Sequence, residues 1–65
     1  MIALTPKERL VGLALLEGLS NEEIGAKFGK TDYTVKGYLR TIALKCDISP
    51  LNRVKLAVKL MEVLK

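Results

Sequence analysis

The 65-residue sequence contains no histidine and only one cysteine, Cys46. A single cysteine excludes an internal disulfide and is typical of a protein from the reducing cytoplasm. Without histidine, one thiol cannot complete a zinc site, so no metal or other cofactor is expected. The chain also lacks a histidine base, an activated nucleophile and a phosphate-binding loop, and the sequence therefore predicts that the protein is not an enzyme.

Long apolar runs and strand patterns are missing as well. The run LVGLALL is far shorter than the ~20 residues that cross a bilayer, so no membrane partner is expected. No alternating β-branched run is bounded by turn residues, which argues against strands. Leu, Ala, Lys and Glu dominate the chain, and 49% of its residues are hydrophobic. The sequence thus predicts one all-α domain over residues 1–65.

Positive charge is concentrated in the second half of the chain. Residues 1–29 carry three cations and four acids, a net charge of −1, whereas residues 30–65 carry eight cations and three acids, a net charge of +5. A basic half is typical of a protein that binds a polyanion. On charge alone, a solubilising surface remains an equal alternative.

Four helices are predicted from capping residues and helical periodicity. The boxes T-x-x-E at residues 5–8 and S-x-x-E at residues 20–23 begin the first two helices, which Gly18 and Gly29 end. A threonine cap, Thr31, begins the third helix and an asparagine begins the fourth. The predicted bounds are about 6–17, 21–28, 32–46 and 52–64. The short glycine-containing turn between the second and third helices is a helix-turn-helix signature.

The third predicted helix has one apolar side and one basic side. At 100° per residue, the apolar stripe that must face the core consists of Val35, Leu39, Ile42 and Cys46. The opposite side presents Tyr33, Lys36, Gly37 and Arg40. A glycine inside a helix costs ~1 kcal/mol relative to alanine, so its presence between two cations needs a reason.

The segments LTPKER, EGLSNEEIG and TVKGYLRTIALK carry a resemblance that answers this question. Over residues 4–48 the chain resembles the DNA-binding domain of the LuxR family of bacterial transcription regulators, which includes the GerE type. The resemblance implies a four-helix, helix-turn-helix fold whose third helix enters the major groove of double-stranded DNA. It also implies dimerisation through the fourth helix. A cytoplasmic protein of bacterial or phage origin, associated with the nucleoid when bound, is expected.

Carried over by position, the resemblance assigns base reading to Lys36, Gly37 and Arg40, and phosphate contact to Thr34 and Lys45. The predicted DNA-binding set is completed by residues at the turn and helix start, Lys30, Thr31 and Tyr33. A bare backbone at residue 37 would let the helix approach the bases, so that the flanking cations reach guanine or phosphate. A tolerated surface glycine in a solvated face is the plainer alternative. Lys30 and Leu44 depart from the family pattern, which usually has an apolar and a basic residue there.

Two helices carry more apolar surface than one core requires. The apolar arc of the fourth helix spans roughly 220°, and its excess predicts a homodimer through Val54, Ala57, Val58 and Met61. On the first helix, Leu10 and Leu13 lie outside the core side. They either cover the opening at Gly12 or pack beneath Met1 and Ile2, or they form a second surface that binds a protein partner.

The expected function is a stand-alone, sequence-specific DNA-binding transcription regulator. Activity would then be set by abundance, dimerisation or a partner. The alternative from another class is an adaptor or antagonist with the same fold, which sequesters a regulator through the apolar faces of helices one and four. A domain excised from a larger regulator is a third possibility.

Overall fold

The computed structural model of the chain describes residues 2–64, and within that range four helices and no strand are present. The helices are α1 (Pro6–Leu16), α2 (Asn21–Phe28), α3 (Asp32–Lys45) and α4 (Arg53–Leu64). The all-α, four-helix class is confirmed, and each helix begins and ends within one residue of the bounds expected from the sequence. The suggested packing of leucines beneath Met1 lies outside the described residues.

Both predicted capping boxes form completely. The Thr5 hydroxyl accepts from the Glu8 N–H at 3.1 Å, and the Glu8 carboxylate accepts from the Thr5 N–H at 2.8 Å. Ser20 and Glu23 make the same reciprocal pair at 3.2 and 2.8 Å. Gly29 ends α2 with a positive φ of 68°, the left-handed conformation that glycine adopts without steric cost. Local sequence therefore fixes where the first two helices begin and where the second ends.

The turn between α2 and α3 packs directly on the backbone of α2 at Gly25. The Lys30 N–H donates to the Gly25 carbonyl at 2.8 Å. A Cβ at residue 25 would lie 2.5 Å from the Lys30 carbonyl oxygen, well inside van der Waals contact. Only glycine lets the chain fold back this tightly, so Gly25 sets the angle at which α3 leaves the corner.

The core lies where α1 meets α3 and α4, with α2 packed on α3. The predicted stripe of α3 is buried. The space beside Gly12 is filled from α4, because a Cβ there would lie 3.0 Å from Leu64 Cδ1 and 3.3 Å from Leu60 Cδ1. Neither Leu10 nor Leu13 is needed to close that opening. The buried apolar residues are Val11, Ala14, Leu15, Ile24, Val35, Leu39, Ile42, Ala43, Cys46, Leu56 and Leu60.

The start of α4 is tied back to the start of α2. The Arg53 guanidinium donates to Asn21 Oδ1 at 2.7 Å and to the Leu19 carbonyl at 2.6 Å. Ile48, in the link between α3 and α4, packs against the core. None of the helices within residues 2–64 has the combined length and apolar character that crossing a membrane requires.

Candidate nucleic-acid interface

A continuous exposed stripe runs along the outer side of α3. Tyr33, Gly37, Arg40 and Leu44 follow the spacing of four, three and four residues that keeps side chains on one helical face, and all four are exposed. The eleven steps from residue 33 to residue 44, at 1.5 Å each, give the stripe a length of about 16 Å. An α-helix with its side chains is about 10–12 Å across, which fits the major groove of B-DNA, about 12 Å wide.

Gly37 lies in the middle of this stripe and faces open space. A Cβ placed there would have no atom within 4 Å, apart from its own helix backbone. The Gly37 carbonyl accepts a hydrogen bond from the Thr41 hydroxyl at 3.1 Å, a contact that any residue at position 37 would allow. No contact within the described chain therefore requires glycine at this position. Thr41, which borders the stripe, was not among the residues predicted from the sequence.

The two predicted base-reading cations are open to solvent. Lys36 and Arg40 are exposed, and neither takes part in the ion pairs found within residues 2–64. Both line a groove of about 460 Å³, and Ser49, Pro50 and Leu51 form part of its other wall. The link between α3 and α4 therefore borders the basic face. Sequence patterns gave no signal for this proximity, because the link has no periodicity.

The predicted DNA-contacting residues at the start of α3 include a local hydrogen-bonded cap. The Thr31 hydroxyl accepts from the Thr34 N–H at 3.1 Å and donates to the Thr34 hydroxyl at 3.0 Å. Tyr33 is 84% exposed, and Lys30 is also exposed. These four residues lie together at the N-terminal end of the stripe, beside the helix-turn-helix corner.

Lys45 lies apart from the other predicted DNA-contacting residues. Its ammonium group pairs with the buried Glu8 carboxylate at 2.7 Å. This lysine lowers the pKa of Glu8, and the backbone N–H of Thr5 lowers it further. The pair joins α1 to the end of α3 across 37 residues. Sequence patterns identified Glu8 only as a capping residue, since nothing local indicates a partner so distant.

The described residues hold no group suited to a metal ion. Within residues 2–64, no three His, Cys, Asp or Glu side chains are close enough together to bind one. Cys46 is buried in the core, and burial raises the pKa of its thiol above the usual value. A buried, protonated thiol is a poor nucleophile, so Cys46 is a small packing residue.

The predicted interface residues outside α3 lie on two separate surfaces. On α4, Val54, Val58 and Met61 are exposed, and Ala57 between them is partly buried. On α1, Leu10 is 51% exposed and Leu13 is partly buried. Exposed apolar residues at i, i+4 and i+7 form a stripe on α4 that is typical of a helix with a packing partner.

A short helix, a tight glycine-dependent corner and a longer helix with an open basic face define a helix-turn-helix domain of the DNA-binding class. The family model of bacterial regulatory proteins of the luxR family, GerE, matches residues 2–60 of the chain. The chain therefore belongs to the LuxR family of regulators, whose helix-turn-helix domains bind DNA. Comparisons with curated proteins and with solved structures found no significant match.

Proposed function

We propose that this protein is a sequence-specific transcription regulator that inserts the outer side of α3 into the major groove. In this proposal Arg40 and Lys36 contact guanine or neighbouring phosphates, and Gly37 brings the helix backbone close to the base edges. Tyr33 and the threonines at the start of α3 contact the sugar-phosphate backbone. Lys45 contacts a phosphate while it remains paired with Glu8.

The observation that carries this proposal is the open position of Gly37. A glycine in the middle of a helix costs ~1 kcal/mol. Because no contact within residues 2–64 requires it, the compensating contact lies outside the chain. A bidentate contact between arginine and guanine provides ~1–3 kcal/mol of discrimination, enough to offset that cost. The exposed cations on either side of Gly37 are opposite in charge to the phosphates of DNA.

Binding measured against salt concentration tests the electrostatic part of the proposal. The affinity for duplex DNA is expected to fall steeply as salt rises, with a slope of about −0.9 for each phosphate neutralised. After selection from random duplexes, a preferred sequence is expected to bind more tightly than competitor DNA. Weak binding without a steep salt dependence or a preferred sequence would contradict the proposal.

Arg40→Ala tests base reading, and Arg9→Ala is its matched control. Both arginines are exposed, but Arg9 lies on α1 and does not line the groove bordered by Lys36 and Arg40. Arg40→Ala is expected to relax the preference at one base pair by roughly 5- to 150-fold, the equivalent of one lost bidentate contact. Arg9→Ala is expected to leave the base preference unchanged. Equal effects of both variants would show that the arginines act only through net charge.

We further propose that the protein binds DNA as a homodimer through the exposed stripe of α4. A two-fold axis beside α4 pairs Val54, Val58 and Met61 with the same residues of a second copy. Such a dimer places its two recognition helices about one turn of DNA apart, on a palindromic site. Val58→Glu is expected to make the protein monomeric in sedimentation experiments and to weaken binding to the palindrome. Ala26→Glu, which adds the same charge to an exposed position on α2, is the control.

The alternative function is a protein-binding adaptor or antagonist that sequesters a regulator through apolar faces of α1 and α4. The half-exposed Leu10 favours this alternative, and the open cations of α3 oppose it. An adaptor would form a hetero-complex in sizing experiments, and its affinity for DNA would not depend steeply on salt concentration. The DNA-binding reading has more support, because no protein partner explains the glycine among cations on α3.

A further inference from the structure

A second apolar surface lies on the side of the molecule where α1 meets α2. Two neighbouring depressions, of about 260 and 320 Å³, share Leu10 and Phe28 as lining residues. Val11, Val35 and Tyr38 add to the first depression, and Leu13 and Ala14 add to the second. The two depressions together are called the α1–α2 groove.

The rim of the α1–α2 groove is positively charged. Lys7 and Lys30 line the first depression, and neither is in an ion pair within residues 2–64. Lys27 lines the second depression and lies 5.8 Å from the centre of the Phe28 ring. The one acidic lining residue, Glu17, is already paired with Lys27 at 3.1 Å. The rim thus has an excess of cations above an apolar floor.

The groove is separate from the outer stripe of α3. Tyr38, which lines it, follows Gly37 in sequence and therefore points about 100° away from it around the helix. Its lining is also mainly apolar, which suits hydrophobic side chains and not a phosphate backbone. Only Lys30 belongs both to this groove and to the predicted DNA-contacting set.

We propose that the α1–α2 groove binds an acidic amphipathic helix of a partner protein. Two apolar side chains one turn apart on that helix occupy the two depressions, and a carboxylate beside them pairs with Lys7, which lies outside the predicted DNA-contacting set. Charge complementarity at the rim selects an acidic partner over a basic one. Because the groove and the stripe face different directions, the partner and DNA bind at the same time.

A pair of synthetic peptides tests the chemistry of the occupant. The first is an amphipathic helix with Leu and Phe on one face and Glu on the other; its twin has Lys in place of every Glu. In amide spectra of the ¹⁵N-labelled full chain, the acidic peptide is expected to shift the resonances of Leu10, Phe28 and Lys30. Its affinity should exceed that of the twin by at least about tenfold. Equal affinities, or shifts confined to the α4 stripe, would overturn the proposal.

Variants of the groove separate the apolar contribution from the charged one. Leu10→Glu is expected to abolish binding of the acidic peptide, and Ala26→Glu, the matched control, to leave it unchanged. Lys7→Glu is expected to lower the affinity for the acidic peptide several-fold and to raise the affinity for its basic twin. Lys7 is exposed and contributes nothing to the core, so this charge reversal remains informative even if Leu10→Glu does not fold. Unchanged peptide binding in Lys7→Glu would contradict the proposed pairing.

Parallel DNA-binding measurements distinguish this inference from the proposed function. Lys7→Glu and Leu10→Glu are expected to bind the selected duplex as tightly as the unaltered chain, with or without saturating peptide. If these variants lost DNA affinity to the same extent as peptide affinity, the groove would be part of the DNA-binding surface, and the inference would be overturned. Peptide binding by a chain that binds no DNA would instead overturn the proposed function alone.

Discussion

The inner and outer sides of α3 differ in what determines their residues. The inner side is enclosed by α1 and α2, and its buried residues pack in the core: Val35, Leu39, Ile42 and Ala43. The outer side faces solvent over its whole length. Two glycines make the contrast concrete. Gly25 lies under the corner that leads into α3, where a Cβ would strike the Lys30 carbonyl at 2.5 Å, whereas a Cβ at Gly37 would meet nothing within 4 Å.

The two positions show two different reasons for a glycine inside a helix. Both glycines lie inside helices, where each costs ~1 kcal/mol relative to alanine. At Gly25 the cost is recovered within the fold, because the close approach of the turn depends on it. At Gly37 no contact among the described residues recovers that cost. A glycine that the fold does not need indicates a surface that has to come close to something else, which is the argument for DNA on this side.

The largest expected effect is that of Gly25→Ala. The added methyl group cannot be accommodated by a side-chain rotation, because the atom it meets belongs to the backbone. We expect a loss of about 3 kcal/mol in the free energy of unfolding, typical of a severely overpacked site. Urea denaturation monitored by circular dichroism measures it. A domain of this size has a total free energy of unfolding of roughly 3–10 kcal/mol, so this loss is a large fraction of its stability.

If Gly25→Ala were as stable as the unaltered chain, the proposed difference between Gly25 and Gly37 would be wrong. It would mean that the α2–α3 corner opens at little cost and that Gly25 does not set the direction of α3.

Local signals in the sequence predicted the helices well. The capping boxes at Thr5 and Ser20 and the left-handed glycine at residue 29 involve residues three or four apart, so their geometry follows from the sequence alone. The buried stripe of α3 followed from helical periodicity for the same reason. The open state of Lys36 and Arg40 agrees with their position opposite this stripe.

Contacts between distant residues were beyond these signals. The pair of Glu8 and Lys45 spans 37 residues, and Arg53 reaches Asn21 across 32. Which face of one helix meets which face of another depends on the angles of the turns, and those depend on close approaches such as that at Gly25. The α1–α2 groove was missed for this reason. Leu10 and Leu13 were interpreted either as packing residues near Gly12 or as a second surface for a protein partner, but the neighbours of Leu10 in the groove, Phe28 and Tyr38, come from other helices.

The second-largest expected change in stability concerns the ion pair of Lys45 and Glu8, at the boundary between the two sides of α3. Glu8→Gln is compared with Glu23→Gln, because both glutamates close capping boxes but only Glu8 is buried and has a lysine partner. We expect Glu8→Gln to lower the free energy of unfolding by about 1.5–2 kcal/mol more than Glu23→Gln, the lower part of the range for a lost hydrogen bond to a charged group. Chemical denaturation of both variants at neutral pH provides the measurement.

The pH dependence of this difference follows from the lowered pKa of Glu8. A carboxyl group whose folded-state pKa lies below its ordinary value of 4.5 contributes stability above that value and loses it as the pH falls through the folded-state pKa. The stability gap between the unaltered chain and Glu8→Gln is therefore expected to be full at pH 7 and to shrink below pH 4.5. A gap that stays constant into acid would show that glutamine damages packing, and that the charge of Glu8 is not responsible.

The smallest expected change in stability, and the sharpest test of the contrast, is that of Gly37→Ala. Because the site is open, alanine should raise the free energy of unfolding by about 1 kcal/mol through its higher helix propensity. The same methyl group should weaken binding to the selected DNA several-fold, since it holds the helix away from the base edges. Thermal denaturation and titration of one duplex, on the same preparation, measure both quantities. Higher stability with unchanged DNA affinity would remove the functional reason for Gly37 and leave it a tolerated surface glycine, whereas opposite signs in the two measurements are what a recognition surface predicts.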